Sequence, residues 1–133
     1  MHPSVGMGPK VLVIEDREYV RHVIVAVLDD AGYAAVGLPS AITALERLAE
    51  IQPQIILLDM ELPGMNGREF LVRLRAMPRW ADLPVLIVSG YGETCLPSPE
   101  RPGIAVLAKP FDNGTLIDCI GRMLAPTTIP TSA

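Results

Sequence analysis

The sequence predicts an α/β domain built on a parallel sheet with helices on both faces. Three observations carry that prediction. Short runs that are almost wholly apolar alternate with stretches of helical periodicity, the order in which strands and covering helices follow one another in such sheets. The runs show no polar–apolar alternation, as strands buried on two sides require. Four of the five runs also end on an ionisable or hydroxyl side chain, and parallel strands deliver their carboxyl ends to one rim, where α/β sheets bind ligands.

Taken in order, Lys10–Ile14 (KVLVI) reads as a fully buried strand. Val20, Val23, Ile24, Val27 and Leu28 recur at the spacing of one helix face, and Gly32 stops that helix. Tyr33–Leu38 is a weaker strand. Ser40 is placed to cap a helix with Ile42, Leu45 and Leu48 along one stripe. Gln54–Leu58 is a second strongly buried strand. Phe70, Leu71 and Leu74 mark another amphipathic helix, closed by Met77 and Pro78. Val85–Val88 and Ile104–Ala108 are the remaining strands. Between them, from Gly90 to Gly103, three prolines and three glycines make a poor helix. The last helix opens near Asp112 or Asn113, keeps Leu116, Ile117, Ile120, Met123 and Leu124 together, and ends at Pro126.

At 133 residues the chain holds one domain. Its formal charge of -4 argues against nucleic acid or anionic membrane held by bulk electrostatics. No apolar run approaches the roughly 20 residues of a membrane span, and MHPSVGMGPK lacks the basic and apolar regions of a signal peptide. Two cysteines, Cys95 and Cys119, make no disulfide framework, which points to a reducing cytoplasm.

The polar residues fall at the strand ends. KVLVI is followed by Glu15 and Asp16, IILL by Asp59, VLIV by Ser89 and IAVLA by Lys109. Each has an ordinary reading alone: acids open helices, and Asp and Ser are common in turns. Together they are a chemical set. Carboxylates gathered in one cleft repel unless a cation sits among them, and all-oxygen ligands with room for water suit Mg2+. Ser89 and Lys109 add a hydroxyl donor and an ammonium for the oxygens of a phosphoryl group, whose transfer depends on position and charge neutralisation. A carboxylate is a competent nucleophile for that transfer and gives an acyl phosphate. The sequence has no glycine-rich phosphate loop, so these side chains are left to hold the phosphate.

The acid pair Glu15–Asp16, the D-x-x-L-P-G-x-x-G pattern from Asp59 to Gly67, Ser89, and the Lys109-Pro110-Phe111 stretch stand in a familiar order and spacing. In these the chain resembles the receiver domains of two-component response regulators, over residues 10–125. The resemblance implies a flavodoxin-like (CheY-like), doubly wound sheet of five parallel strands in the order 2-1-3-4-5. It implies that Asp59 takes a phosphoryl group from a histidine kinase or histidine phosphotransfer protein. By position, Asp16 and Asp59 bind Mg2+ directly together with the backbone carbonyl of Glu61, and Glu15 acts through metal-bound water. Ser89 and Lys109 hold phosphoryl oxygens, and a cis peptide at Lys109–Pro110 aims the ammonium inward. Residues 1–9 and 126–133 are expected to be flexible termini. Signalling is expected through protein contacts in the cytoplasm, a homodimer among them, without direct nucleic acid or membrane binding.

Several positions depart from the family pattern. Glu15 stands where Asp is more usual. Glu61 places a further carboxylate two residues after Asp59, where repulsion would slow an incoming water and a hydrogen bond would align it. Val106 occupies the place of an aromatic switch residue, and its β-branching leaves little rotameric freedom. Tyr91, two residues after Ser89, is a candidate substitute. The stretch SGYGETCLPSPERPG replaces the usual fourth helix with an irregular one and resembles the single-domain receivers nicknamed "FAT GUY". Two other classes compete: a non-phosphorylated interaction module on the same fold, and a metal-dependent phosphatase with an aspartyl nucleophile. The complete acid set with Ser89 and Lys109 weighs against the first, and the lack of a second D-x-D acid or cap insertion against the other. A stand-alone receiver and a segment of a hybrid kinase both fit the sequence.

Overall fold

The computed structural model describes residues 8–90 and 103–125. Within them the chain runs β1 (Lys10–Ile14), α1 (Glu18–Asp30), β2 (Ala34–Leu38), α2 (Ala41–Ile51), β3 (Ile55–Asp59), α3 (Gly67–Arg75), a 3-10 turn (Pro78–Trp80), β4 (Val85–Ser89), β5 (Ile104–Ala108) and α4 (Asn113–Leu124). The strands form one sheet in the order β2-β1-β3-β4-β5, and every neighbouring pair is parallel. The irregular stretch expected in place of the usual fourth helix lies outside the described residues, as do the terminal segments 1–7 and 126–133.

Side chains alternate across each strand, and both faces are filled. Leu12, Ile14, Ile56, Leu58, Val85 and Ile87 pack into the layer under α2 and α3. Val11, Val13, Ile55, Leu57, Leu86 and Val88 pack into the layer under α1 and α4. Strands β3 and β4 are buried at every position, whereas the edge strand β2 buries only Leu38 completely. Fully burying one such aliphatic side chain contributes about 1.5–3 kcal/mol, so the central strands contribute more than the edge strand β2.

Local signals set the helix ends. The Ser40 hydroxyl accepts from the Thr43 N–H at 3.1 Å and starts α2, and Gln52, with a left-handed φ of 53°, closes it. Asn66 and Glu69 form a reciprocal capping box on α3, and Asp112 caps α4 through the Thr115 N–H at 2.7 Å. Arg75 ties α3 to the entry of β4, donating from Nη1 to the carbonyls of Trp80 and Leu83 at 3.1 and 2.7 Å.

Two helix faces differ from those read in the sequence. On α2 the buried side chains are Ala41, Ala44, Leu48 and Ile51, while Ile42 is 50% exposed. Alanine buries readily under a sheet, and counting only the large residues rotates the inferred face. On α1 the sheet-facing residues are Ile24, Val25 and Leu28, and Val23 is exposed. Trp80 is buried in the α2–α3 layer.

Candidate functional site

Glu15 leaves the end of β1, and its N–H donates to the Leu38 carbonyl at the end of β2 at 3.1 Å. Its carboxylate is buried. Oε2 accepts from the backbone N–H of Arg17 at 3.0 Å and from Arg17 Nε at 3.2 Å. One turn further along α1, Arg21 Nη1 donates to the Glu15 carbonyl at 2.9 Å. The stem of Arg21 crosses Gly37 on β2, where a Cβ would stand 2.9 Å from Arg21 Cγ. Neither arginine stands out in the sequence. The available signal is two cations four residues apart at a helix start, directly after an acid pair.

Asp59 is the last residue of β3 and is buried, one position beyond the strand end expected from the sequence. Its Oδ1 accepts from the Glu61 N–H at 3.0 Å. Its Oδ2 lies 3.4 Å from Lys109 Nζ. Lys109 follows β5, and its own N–H donates to the Ser89 carbonyl at 2.9 Å. Ser89 is buried at the end of β4, between the two. The Lys109–Pro110 peptide is cis.

The chain after Asp59 folds back on itself. Gly67 N–H points to the Met60 carbonyl at 3.4 Å, and a Cβ on Gly67 would lie 2.9 Å from Met60 Cα. Backbone approaches backbone here, which only glycine allows.

Glu15, Asp16 and Asp59 each offer a carboxylate oxygen within 4.8 Å of the others. Burial, the largest influence, raises the Glu15 carboxyl above its ordinary range. The Arg17 N–H opposes that rise, and the Asp59 charge adds to it. Asp16, Arg17, Asp59, Glu61 and Lys109 line a cleft of about 350 Å³. Crowded hard oxygen donors of this kind fit a hard divalent cation such as Mg2+. Val106 is half-buried against the α2–α3 layer and does not line the cleft. Tyr91 lies outside the described residues.

Residues 11–121 match the family described as the response regulator receiver domain. The chain belongs to that family. Among its relatives, sporulation initiation phosphotransferase F of Bacillus subtilis (strain 168) is 30% identical over 120 residues, covering 89% of this chain and 95% of the relative. The response regulator protein FleR of Pseudomonas aeruginosa is 31% identical over 118 residues, and the match spans 87% of this chain but 24% of FleR. The structure of chemotaxis protein CheY4 of Vibrio cholerae superposes with a TM-score of 0.76 at 27% identity, covering 88% of this chain and 99% of CheY4. The protein is therefore a receiver domain of two-component signalling with a CheY-like fold. Receivers of this family take phosphoryl groups onto an aspartate and work with histidine kinases or phosphotransfer proteins. None of the described helices is long and apolar enough to cross a membrane.

Proposed function

We propose that this receiver accepts a phosphoryl group on Asp59 from a phosphohistidine and passes or reports it through protein contacts in the cytoplasm. The observation that carries the assignment is the placement of Asp59. It is the buried carboxylate that both belongs to the acid cluster and meets Lys109. An Asp59 oxygen attacks phosphorus, the phosphorus–nitrogen bond to the donor imidazole breaks, and the imidazole leaves to take up a proton. Lys109 and the Ser89 hydroxyl bind phosphoryl oxygens, whose charge they offset.

Glu15, Asp16 and Asp59, with the carbonyl of Glu61, are the residues that would hold Mg2+. When bound, the ion supplies charge neutralisation for the phosphoryl oxygens and orients them. The Asx-type hydrogen bond from the Glu61 N–H to Asp59 keeps that main chain beside the acceptor carboxylate. Self-dephosphorylation follows from attack of water on the same acyl phosphate.

A relay role is favoured by the relative named as a phosphotransferase, 95% of which the match covers. The face for the phosphohistidine partner is α1, which starts two residues after the acid pair and presents Tyr19, 80% exposed, and Val23. A second copy of the chain is the runner-up occupant of that face. Incubation with acetyl phosphate and Mg2+, read by intact mass, tests the acceptor. The parent gains one phosphoryl group and Asp59→Asn gains none. Equal modification of both removes Asp59 from the role.

A further inference from the structure

Building on the reading that Glu15, Asp16 and Asp59 hold Mg2+, we infer that Arg17 sets how tightly the site takes the ion, by acting as the cluster's built-in counter-ion. Arg17 follows the acid pair directly and reaches Glu15 Oε2 twice, through its backbone N–H and through Nε. Its side chain also lines the cleft beside Asp16, Asp59, Glu61 and Lys109.

Lys109, which follows β5, pairs with Asp59, and Arg17, which follows β1, pairs with Glu15, so a cation meets each of the two buried acids. A divalent ion entering among these carboxylates meets the repulsion of the guanidinium and must share Glu15 with it. The Arg17 side chain is 58% exposed and that of Glu15 is 4% exposed. The arginine is thus the partner with room to withdraw into water. Arg21 has a different task, since it holds the Glu15 carbonyl and not the carboxylate.

Mg2+ titrations of the full chain at low ionic strength, followed by backbone amide shifts in NMR, test this directly. Variant R17Q is expected to bind Mg2+ about threefold to tenfold more tightly, the range for losing one nearby, partly screened charge. R17K keeps a cation and stays within about twofold of the parent. R47Q removes the same charge from an exposed Arg47–Glu50 pair on α2 and leaves the affinity unchanged. Added salt narrows the gap between R17Q and the parent. In chelator R17Q melts below the parent, and it gains more on Mg2+ addition.

Unchanged or weaker binding by R17Q, or equal tightening in R47Q, overturns the role of Arg17 while leaving the metal site standing. A parent chain that shows no Mg2+-dependent shifts overturns the metal site and this inference together.

Discussion

Lys109 Nζ lies 3.4 Å from Asp59 Oδ2, although the two residues stand at the ends of strands separated by β4. The ammonium spans that gap, so carboxylate, hydroxyl and cation occupy three successive strand ends. Removing the cation leaves the proposed acceptor in place and takes away a preorganised charge. Lys109→Ala is expected to slow phosphorylation by acetyl phosphate by about a hundredfold, the order found for losing one such group. Mg2+ binding should persist in that variant. A rate within a fewfold of the parent contradicts the role given to Lys109.

Glu61 is exposed, lines the cleft, and has its Oε2 only 3.6 Å from the point where a Cβ on Gly90 would stand. The N–H of Glu61 is the group that touches Asp59, and its carboxylate lies across the open side. We expect this charge to hinder the approach of water. Glu61→Ala therefore shortens the life of the aspartyl phosphate severalfold, followed by the decay of labelled protein. A lifetime unchanged or extended shows that the carboxylate does not screen.

Glu15 gives a pH-dependent prediction. Its carboxyl is raised above the ordinary 4.5, first by burial and then by the charge of Asp59. A raised carboxyl means that the folded state favours the neutral form. In metal-free protein its contribution to stability is greatest below about pH 4.5 and is lost as pH rises through the raised value. Glu15→Gln removes that loss, so in chelator at neutral pH the variant is more stable than the parent, and the difference shrinks towards acid. Denaturant unfolding at several pH values measures it. A variant less stable at neutral pH reverses the sign and refutes the account.

Gly67 has no space for a side chain. A Cβ there meets the backbone of Met60, which cannot rotate away as a side chain would. Gly67→Ala is expected to cost about 1–3 kcal/mol, the usual range for overpacking, and to shift the loop that follows Asp59. Urea unfolding gives the first quantity and amide shifts of residues 60–66 the second. A neutral substitution would mean that the loop has slack.

Tyr19 and Val23 are solvent-facing apolar side chains on α1. If that helix meets the phosphohistidine partner, paired changes Tyr19→Ala and Val23→Asp slow transfer from a phosphorylated histidine protein and spare labelling by acetyl phosphate. Equal slowing of both reactions would place these residues in the site's own integrity, and no slowing would move the partner elsewhere.

Strands were legible because two-sided burial writes itself as uninterrupted aliphatic runs: Ile55–Leu58 and Val85–Val88 admit no other reading at that length. The rim was legible for the same reason, since Asp59, Ser89 and Lys109 each interrupt or follow such a run. The helix faces were harder. Ala41 and Ala44 carry little hydrophobic signal yet bury completely, while Ile42 faces water. Arg17 and Arg21 were invisible as site residues because their partners are the carboxylate and the carbonyl of Glu15. The Arg17 contacts are local, two residues along the chain, but need the burial that fixes Glu15, and the Arg21 contact needs α1 placed back against the end of β1. The approach of Gly67 to Met60 is of the same kind: a glycine announces freedom in the sequence, and only the fold tells which neighbour needs it.

β2 is the strand that sends no reactive side chain to the rim. Even so, at Gly37 it leaves a bare stretch of main chain, and the stem of Arg21 lies across it on the way to the Glu15 carbonyl. Any larger residue at that spot would lift the arginine from its seat and loosen the first acid from below. An outermost strand, ordinarily the most forgiving part of a sheet, thus carries one position where a missing side chain makes room for the arginine that holds the acid at the end of its neighbour.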